Sequence, residues 1–154
     1  MSDKLVYAPR EIFEQILKYA VIPTFDLIIE LPGQGVFLVR RKIAPYKNTW
    51  ALPGLRMMKP EGINDTLARI AWQEVGMDID ADQRWFIGQY VGRFRTEQGR
   101  QDLSTCYAVN CVAGKIQINT EHFSGYRFVQ GMIEVPENIG AMYLYFLEEY
   151  FAGE

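Results

Sequence analysis

The sequence predicts one α+β domain over residues 1–154, a mixed β-sheet flanked by helices, and three observations predict it. Short runs rich in β-branched and aromatic residues stand on both sides of a central amphipathic segment at 62–75. Turn sequences join several of those runs, as hairpins require. Helical patterns open and close the chain, and 154 residues suffice to bury one real core.

The elements follow in order. Pro9 precedes REIFEQILKYA, an amphipathic helix with proline near its start and Ile12, Phe13, Ile16 and Leu17 as its apolar stripe. Residues 24–31 and 35–40 read as strands around the turn Pro32-Gly33-Gln34. A polar loop, RKIAPYKNT, leads into Trp50-Ala51-Leu52-Pro53-Gly54. Residues 62–75 form the second helix, ended by Gly76. Residues 85–94 and 104–112 make a long hairpin around Glu97-Gln98-Gly99-Arg100. A short strand at 126–129 follows a loop at 119–125, and a helix at 136–151 closes the chain. The aromatic stripe of that last helix suits a core or a dimer face better than a ligand box.

Composition excludes several functions. Nearly half the residues are hydrophobic and 14% aromatic, which argues against disorder. A net charge of −3 argues against a non-specific nucleic-acid binder, whereas local arginines or a metal can still serve a phosphate-bearing small molecule. The opening MSDKLVYAPREIFEQ lacks the apolar core of a signal peptide, and nothing approaches the roughly 18 apolar residues of a membrane span. Cys106 and Cys111, five apart in one strand, point to opposite faces, which suits two reduced thiols in a cytoplasmic protein.

The chemical clue lies on the central helix. At about 100° per residue, Ile63, Leu67 and Ile70 form a narrow apolar stripe, and Glu74 falls in the middle of it. A carboxylate on a buried face is costly unless a cation or hydrogen bonds meet it. Two readings stay open at this point. Glu74 bends out to solvent or pairs with an arginine near the helix end, or it is a ligand for a hard divalent cation. Just upstream, Pro53-Gly54 makes a turn where the backbone can approach a ligand and offer carbonyls to a metal.

These residues together resemble a degenerate Nudix box. Pro53-Gly54-Leu55-Arg56 begins it, Glu61 is its first glutamate, and Arg69-Ile70-Ala71-Trp72-Gln73-Glu74-Val75-Gly76 closes it, with seven residues between Glu61 and Arg69. Leu55 stands for the second glycine, and Ile70 and Gln73 for two glutamates, so Glu74 alone survives of the helix carboxylates. That pattern is similar to the GDP-mannose mannosyl hydrolase branch of the family. Ile22-Pro23-Thr24-Phe25-Asp26-Leu27-Ile28 resembles its first strand. Arg41 and Pro45, then Trp50 to Arg56, resemble its nucleotide-side loop and box entry. Glu121-His122 before Gly125-Tyr126-Arg127-Phe128 resembles its Gln-His pair and the strand that follows.

The resemblance implies a Nudix fold, an α/β/α sandwich, and the hydrolysis of a nucleoside diphosphate-sugar, most of all a GDP-sugar, at the anomeric carbon. It implies one Mg²⁺, with Mn²⁺ as a substitute, held by the Gly54 carbonyl, Glu74 and Glu121. His122, the chain's single histidine, is then the general base. Arg56 and Arg69 neutralise the leaving oxygens, Arg41 contacts the nucleotide or sugar, Asp26 hydrogen-bonds the sugar, and Glu61 orients Arg69. Because many Nudix enzymes use a glutamate of this loop as base, Glu121 as base with His122 as accessory is the rival assignment. The implied partner is a small molecule, with no nucleic acid and no membrane, and the related enzymes form homodimers, for which the N-terminal region is a candidate. Tyr7, Phe25 and Tyr46 are candidates to stack on a base. The competing classes are a Nudix pyrophosphatase cutting the phosphoanhydride and a non-catalytic ligand-binding module.

Overall fold

The computed structural model describes residues 4–153; Met1 to Asp3, part of the opening segment read above, and Glu154 lie outside the described residues. Among the described residues, three α-helices, α1 (Arg10–Tyr19), α2 (Ile63–Val75) and α3 (Ala141–Ala152), accompany eight strands. The strands are β1 (Val21–Leu31), β2 (Gly35–Arg41), β3 (Trp50–Ala51), β4 (Gly54–Arg56), β5 (Met77–Ile79), β6 (Trp85–Phe94), β7 (Arg100–Gly114) and β8 (Phe123–Val129).

The sheet is mixed, as expected. β1 and β7 pair in parallel over ten residues, Val21 opposite Gln101 to Glu30 opposite Asn110, and the other pairings between these strands are antiparallel. β4 lies on the front half of β1, β8 and β3 on β2, and β6 and β5 on β7. Helix α2 packs against β1, β4 and β5, and α3 against β6. The core between them is dense and apolar, with Leu27, Ile28, Ile29, Phe37, Leu38, Leu52, Leu67, Ile70, Phe146 and Leu147 all fully buried. Among the described residues no helix is long and apolar enough to cross a membrane. Both cysteines are free.

Several boundaries move for tertiary reasons. The last helix begins at Ala141 rather than Pro136, because residues 138–140 bond to Trp50: its N–H donates to the Asn138 carbonyl, and its own carbonyl accepts from Gly140. β1 starts at Val21 and β7 at Arg100, three and four residues earlier than their apolar runs suggest, because Val21 pairs with Gln101 and Arg100 with Phe94. β5 has too short a pattern to announce itself, and it forms because Gly76 turns the chain back onto the end of β7. On α3, Met142, Tyr143, Phe146, Leu147 and Tyr150 are buried, so its aromatic stripe is core.

Candidate active site

Helix α2 delivers Glu74 as the wheel predicts: Leu67, Ile70 and Val75 are buried with it, and Glu74 itself is only 2% exposed. Gly76, at φ 74°, ends the helix and lets the following chain close over it. A side chain there would meet the Lys115 carbonyl at 2.7 Å. Beyond the turn, the N–H groups of Gln117 and Asn119 donate to the carbonyls of Val75 and Glu74, docking the β7–β8 loop on the helix end. On the other side, the Lys42 N–H donates to the His122 carbonyl at 2.7 Å.

The loop is thus held so that His122 Nδ1 lies 2.9 Å from both carboxylate oxygens of Glu74. Facing a carboxylate, Nδ1 is the donor of the pair, and on a neutral ring Nε2 is then left as an acceptor. Asn119 Nδ2 also lies near Nδ1, at 3.3 Å, but the two shorter charge-assisted contacts decide the tautomer. The buried acid of the helix is therefore met by the chain's one imidazole.

Both residues line a cavity of about 280 Å³ above the front half of β1, β4 and β7. Arg41, Arg56, Asp26 and Gly54 line it as well. Asp26 is 4% exposed and accepts from the Ser104 hydroxyl. Burial raises its pKa from 3.8 to about 7, against the opposing pull of Ser104 and the Arg41 charge. Gly54 must be a glycine, because a Cβ there would sit 2.2 Å from an Asp26 carboxyl oxygen. Arg41 uses Nε on the Pro45 carbonyl at 2.6 Å and so shapes the rim loop that also faces the cavity. In that loop Tyr46, at φ 62°, packs on Tyr143 and Phe94 in the space that Gly140 leaves open.

Two predicted residues are not brought to this cavity. Arg69 is turned away to form a bidentate ion pair with Glu61, 2.6 and 2.9 Å, and to donate to the Arg56 carbonyl at 2.7 Å. It fixes the backbone of Arg56 rather than facing the ligand space. Burial raises the Glu61 pKa, but the hydrogen bonds from Arg69 and the Met58 N–H outweigh it and hold the carboxyl below its ordinary range. Glu121 is exposed and lines a neighbouring groove with Trp72 and Gln73, because the Asn119 side chain holds its N–H and turns it outward. Of the candidate stacking residues, Phe25 is buried on Tyr107, Tyr46 belongs to the rim and Tyr7 is exposed.

Sequence reasoning missed Phe13, Arg100, Asp102 and Tyr143 on the cavity wall. For two of them a signal existed. Arg100, Asp102 and Ser104 alternate with Gln101 and Leu103, and the polar set faces inward: Asp102 is 7% exposed and Ser104 buried, while Leu103 is 38% exposed. A strand with its alternation reversed marks a buried polar surface.

Among the described residues no three His, Cys, Asp or Glu side chains gather as a metal cage. The donors on the cavity wall nevertheless fit a magnesium ion, which takes one or two carboxylates and fills its shell with water and phosphate oxygens. Of the expected donors, Glu74 and Gly54 line the cavity and Glu121 does not.

A family model of the NUDIX domain matches residues 22–138, and the chain belongs to the Nudix hydrolase superfamily. Such hydrolases generally use divalent metal ions. The chain is 27% identical over 119 residues to the low-salt glycan biosynthesis protein Agl8 of Haloferax volcanii, covering 74% of each protein. Its fold is similar to that of a MutT NUDIX hydrolase from Burkholderia pseudomallei, with TM-score 0.71, 17% identity, and coverage of 83% of this chain and 96% of that one. The NUDIX domain of Shewanella oneidensis NrtR, solved with ADP-ribose, gives TM-score 0.67 at 18% identity, covering 94% and 91%.

Proposed function

We propose that the chain hydrolyses a nucleoside diphosphate-sugar, a GDP-sugar by resemblance, at the anomeric carbon, releasing nucleoside diphosphate and free sugar. The observation that carries this reading is the Glu74–His122 pair on the wall of an arginine-lined cavity, with Nδ1 occupied and Nε2 free to accept a proton. Water attacks carbon as Nε2 takes its proton, and the carbon–oxygen bond to the diphosphate breaks with its electron pair leaving on oxygen. Arg56 meets the charge that develops on that oxygen, held in place through its carbonyl by Arg69. Asp26 and Arg41 bind and orient the substrate beside it. A divalent ion, Mg²⁺ or Mn²⁺, held by Glu74 and the Gly54 carbonyl, supplies further neutralisation of the diphosphate when bound. The loss of the other two helix carboxylates supports attack at carbon over the multi-metal attack at phosphorus. The name of the Haloferax relative, a glycan biosynthesis protein, supports a sugar-bearing substrate.

The test is turnover of a panel of nucleoside diphosphate-sugars with Mg²⁺ in ¹⁸O-labelled water. Label in the sugar is expected; label on phosphate makes the protein a pyrophosphatase, and no turnover of any member leaves a binding module. His122→Gln should lower kcat about 10²–10⁴-fold, the range of general-base catalysis. Undiminished turnover would remove the histidine from that role and favour Glu121.

A further inference from the structure

Arg56 is not the only guanidinium at its end of the cavity. Arg100, the first residue of β7, lines the same wall and is anchored through Nε to Asp102 Oδ1 at 2.6 Å. That bond leaves both of its terminal nitrogens for other partners. The anchor is itself rigid: Asp102 is almost buried, on the inward face of a strand paired with β1 on one side and β6 on the other. Gly92 stands opposite Asp102 in β6, and the Phe94 ring folds back over it, where a Cβ would lie 2.8 Å from the ring.

Arg56 is equally fixed. Its carbonyl is held by Arg69, and its guanidinium lies 3.8 Å from the centroid of the Phe13 ring. Burial lowers its pKa, and the nearby positive charge of Arg100 lowers it further. Two preorganised guanidinium groups thus face one cavity close enough to repel each other, and one carboxylate, Asp102, contacts only one of them. Such an arrangement is stabilised by an anion with two separate charged groups.

We propose that Arg100, positioned by Asp102, is a second phosphate-binding residue that works with Arg56 to select a diphosphate over a monophosphate. This rests on the reading of the cavity as a nucleoside diphosphate-sugar site and adds a specificity residue to it.

The test is calorimetric titration of the full chain, with Mg²⁺, using GDP and ADP and the matched monophosphates GMP and AMP. Wild type should prefer a diphosphate by about tenfold or more, the worth of one charge-assisted hydrogen-bond pair. Arg100→Gln should weaken diphosphate binding by about tenfold and monophosphate binding by less than about threefold, so that the preference collapses. Arg100→Lys, which retains the charge and spares the fold should the glutamine variant not form, should lose part of the preference because a point charge cannot replace the fork. A preference retained in both variants overturns the role of Arg100 while leaving the site reading intact. A wild type without any preference between diphosphate and monophosphate overturns the site reading itself.

Discussion

At Asp26 the cost of burial is written into a single carboxyl group. Its pKa rises from 3.8 unfolded to about 7 in the folded chain because burial strips the charged form of water. A raised pKa means that the folded state holds the proton more tightly. The resulting stability is complete below about pH 4 and is lost as pH rises through about 7, amounting at most to about 4 kcal/mol. Asp26→Asn keeps an acceptor for Ser104 and removes the titration. In metal-free buffer its melting temperature should change little between pH 5 and 8, whereas that of wild type should fall; parallel curves for the two proteins would show that Asp26 is not the group concerned. Sequence alone marked Asp26 only through resemblance, since an aspartate in TFDLIIEL has no periodic signature of its own. Glu74 differs: its place on the apolar stripe of a helix was readable directly, and only its partner was not.

The pair of Glu61 and Arg69, one before helix α2 and one on it, shows how residues can support a site without facing it. The box spacing brings Glu61 and Arg69 together, and their ion pair is nearly enclosed, with side chains 0% and 10% exposed. Breaking such a pair by removing one charge costs about 3–5 kcal/mol, because the partner is left buried and unpaired. Glu61→Gln should therefore lower the unfolding free energy by that order in denaturant titration. It should also lower kcat, since Arg69 would no longer hold the Arg56 carbonyl. Stability unchanged within about 0.5 kcal/mol would deny the pair its structural role. The depressed pKa of Glu61 gives the matching pH sign: its contribution is present above about pH 4.5 and is lost as pH falls through the lower folded value. The inward polar face of β7 was also present in the sequence as an alternation, but an alternation does not say which face points inward. Only the packing of the folded chain decides that, burying Asp102 and Ser104 and leaving Leu103 exposed.

For the whole molecule, α1 is the anomaly. It is strongly amphipathic, yet none of its residues is buried: Ile12 is 52% exposed and Tyr19 76%, and Phe13 alone reaches the cavity. The homodimer expected for the N-terminal region would give that stripe a role, and on that expectation wild type should sediment as a dimer. Ile12→Glu with Ile16→Glu should shift it to a monomer without changing its circular dichroism; a monomeric wild type, or a double variant that stays dimeric, would separate α1 from assembly.

What the sequence by itself determined was the kind of fold, the order of most elements, the box spacing and the misplaced acid, because these depend on periodicity and on residues near one another in the chain. Tertiary structure alone decided which predicted residues meet. Glu74 and His122 are 48 positions apart and lie in hydrogen-bond contact because a glycine turn and two backbone bonds dock one loop on one helix end. By the same means Arg69 and Glu121 are turned from the cavity and Arg100 is brought into it. Spacing along a chain carries no information about where a loop folds back, and the direction of a side chain is set by the partners its backbone finds.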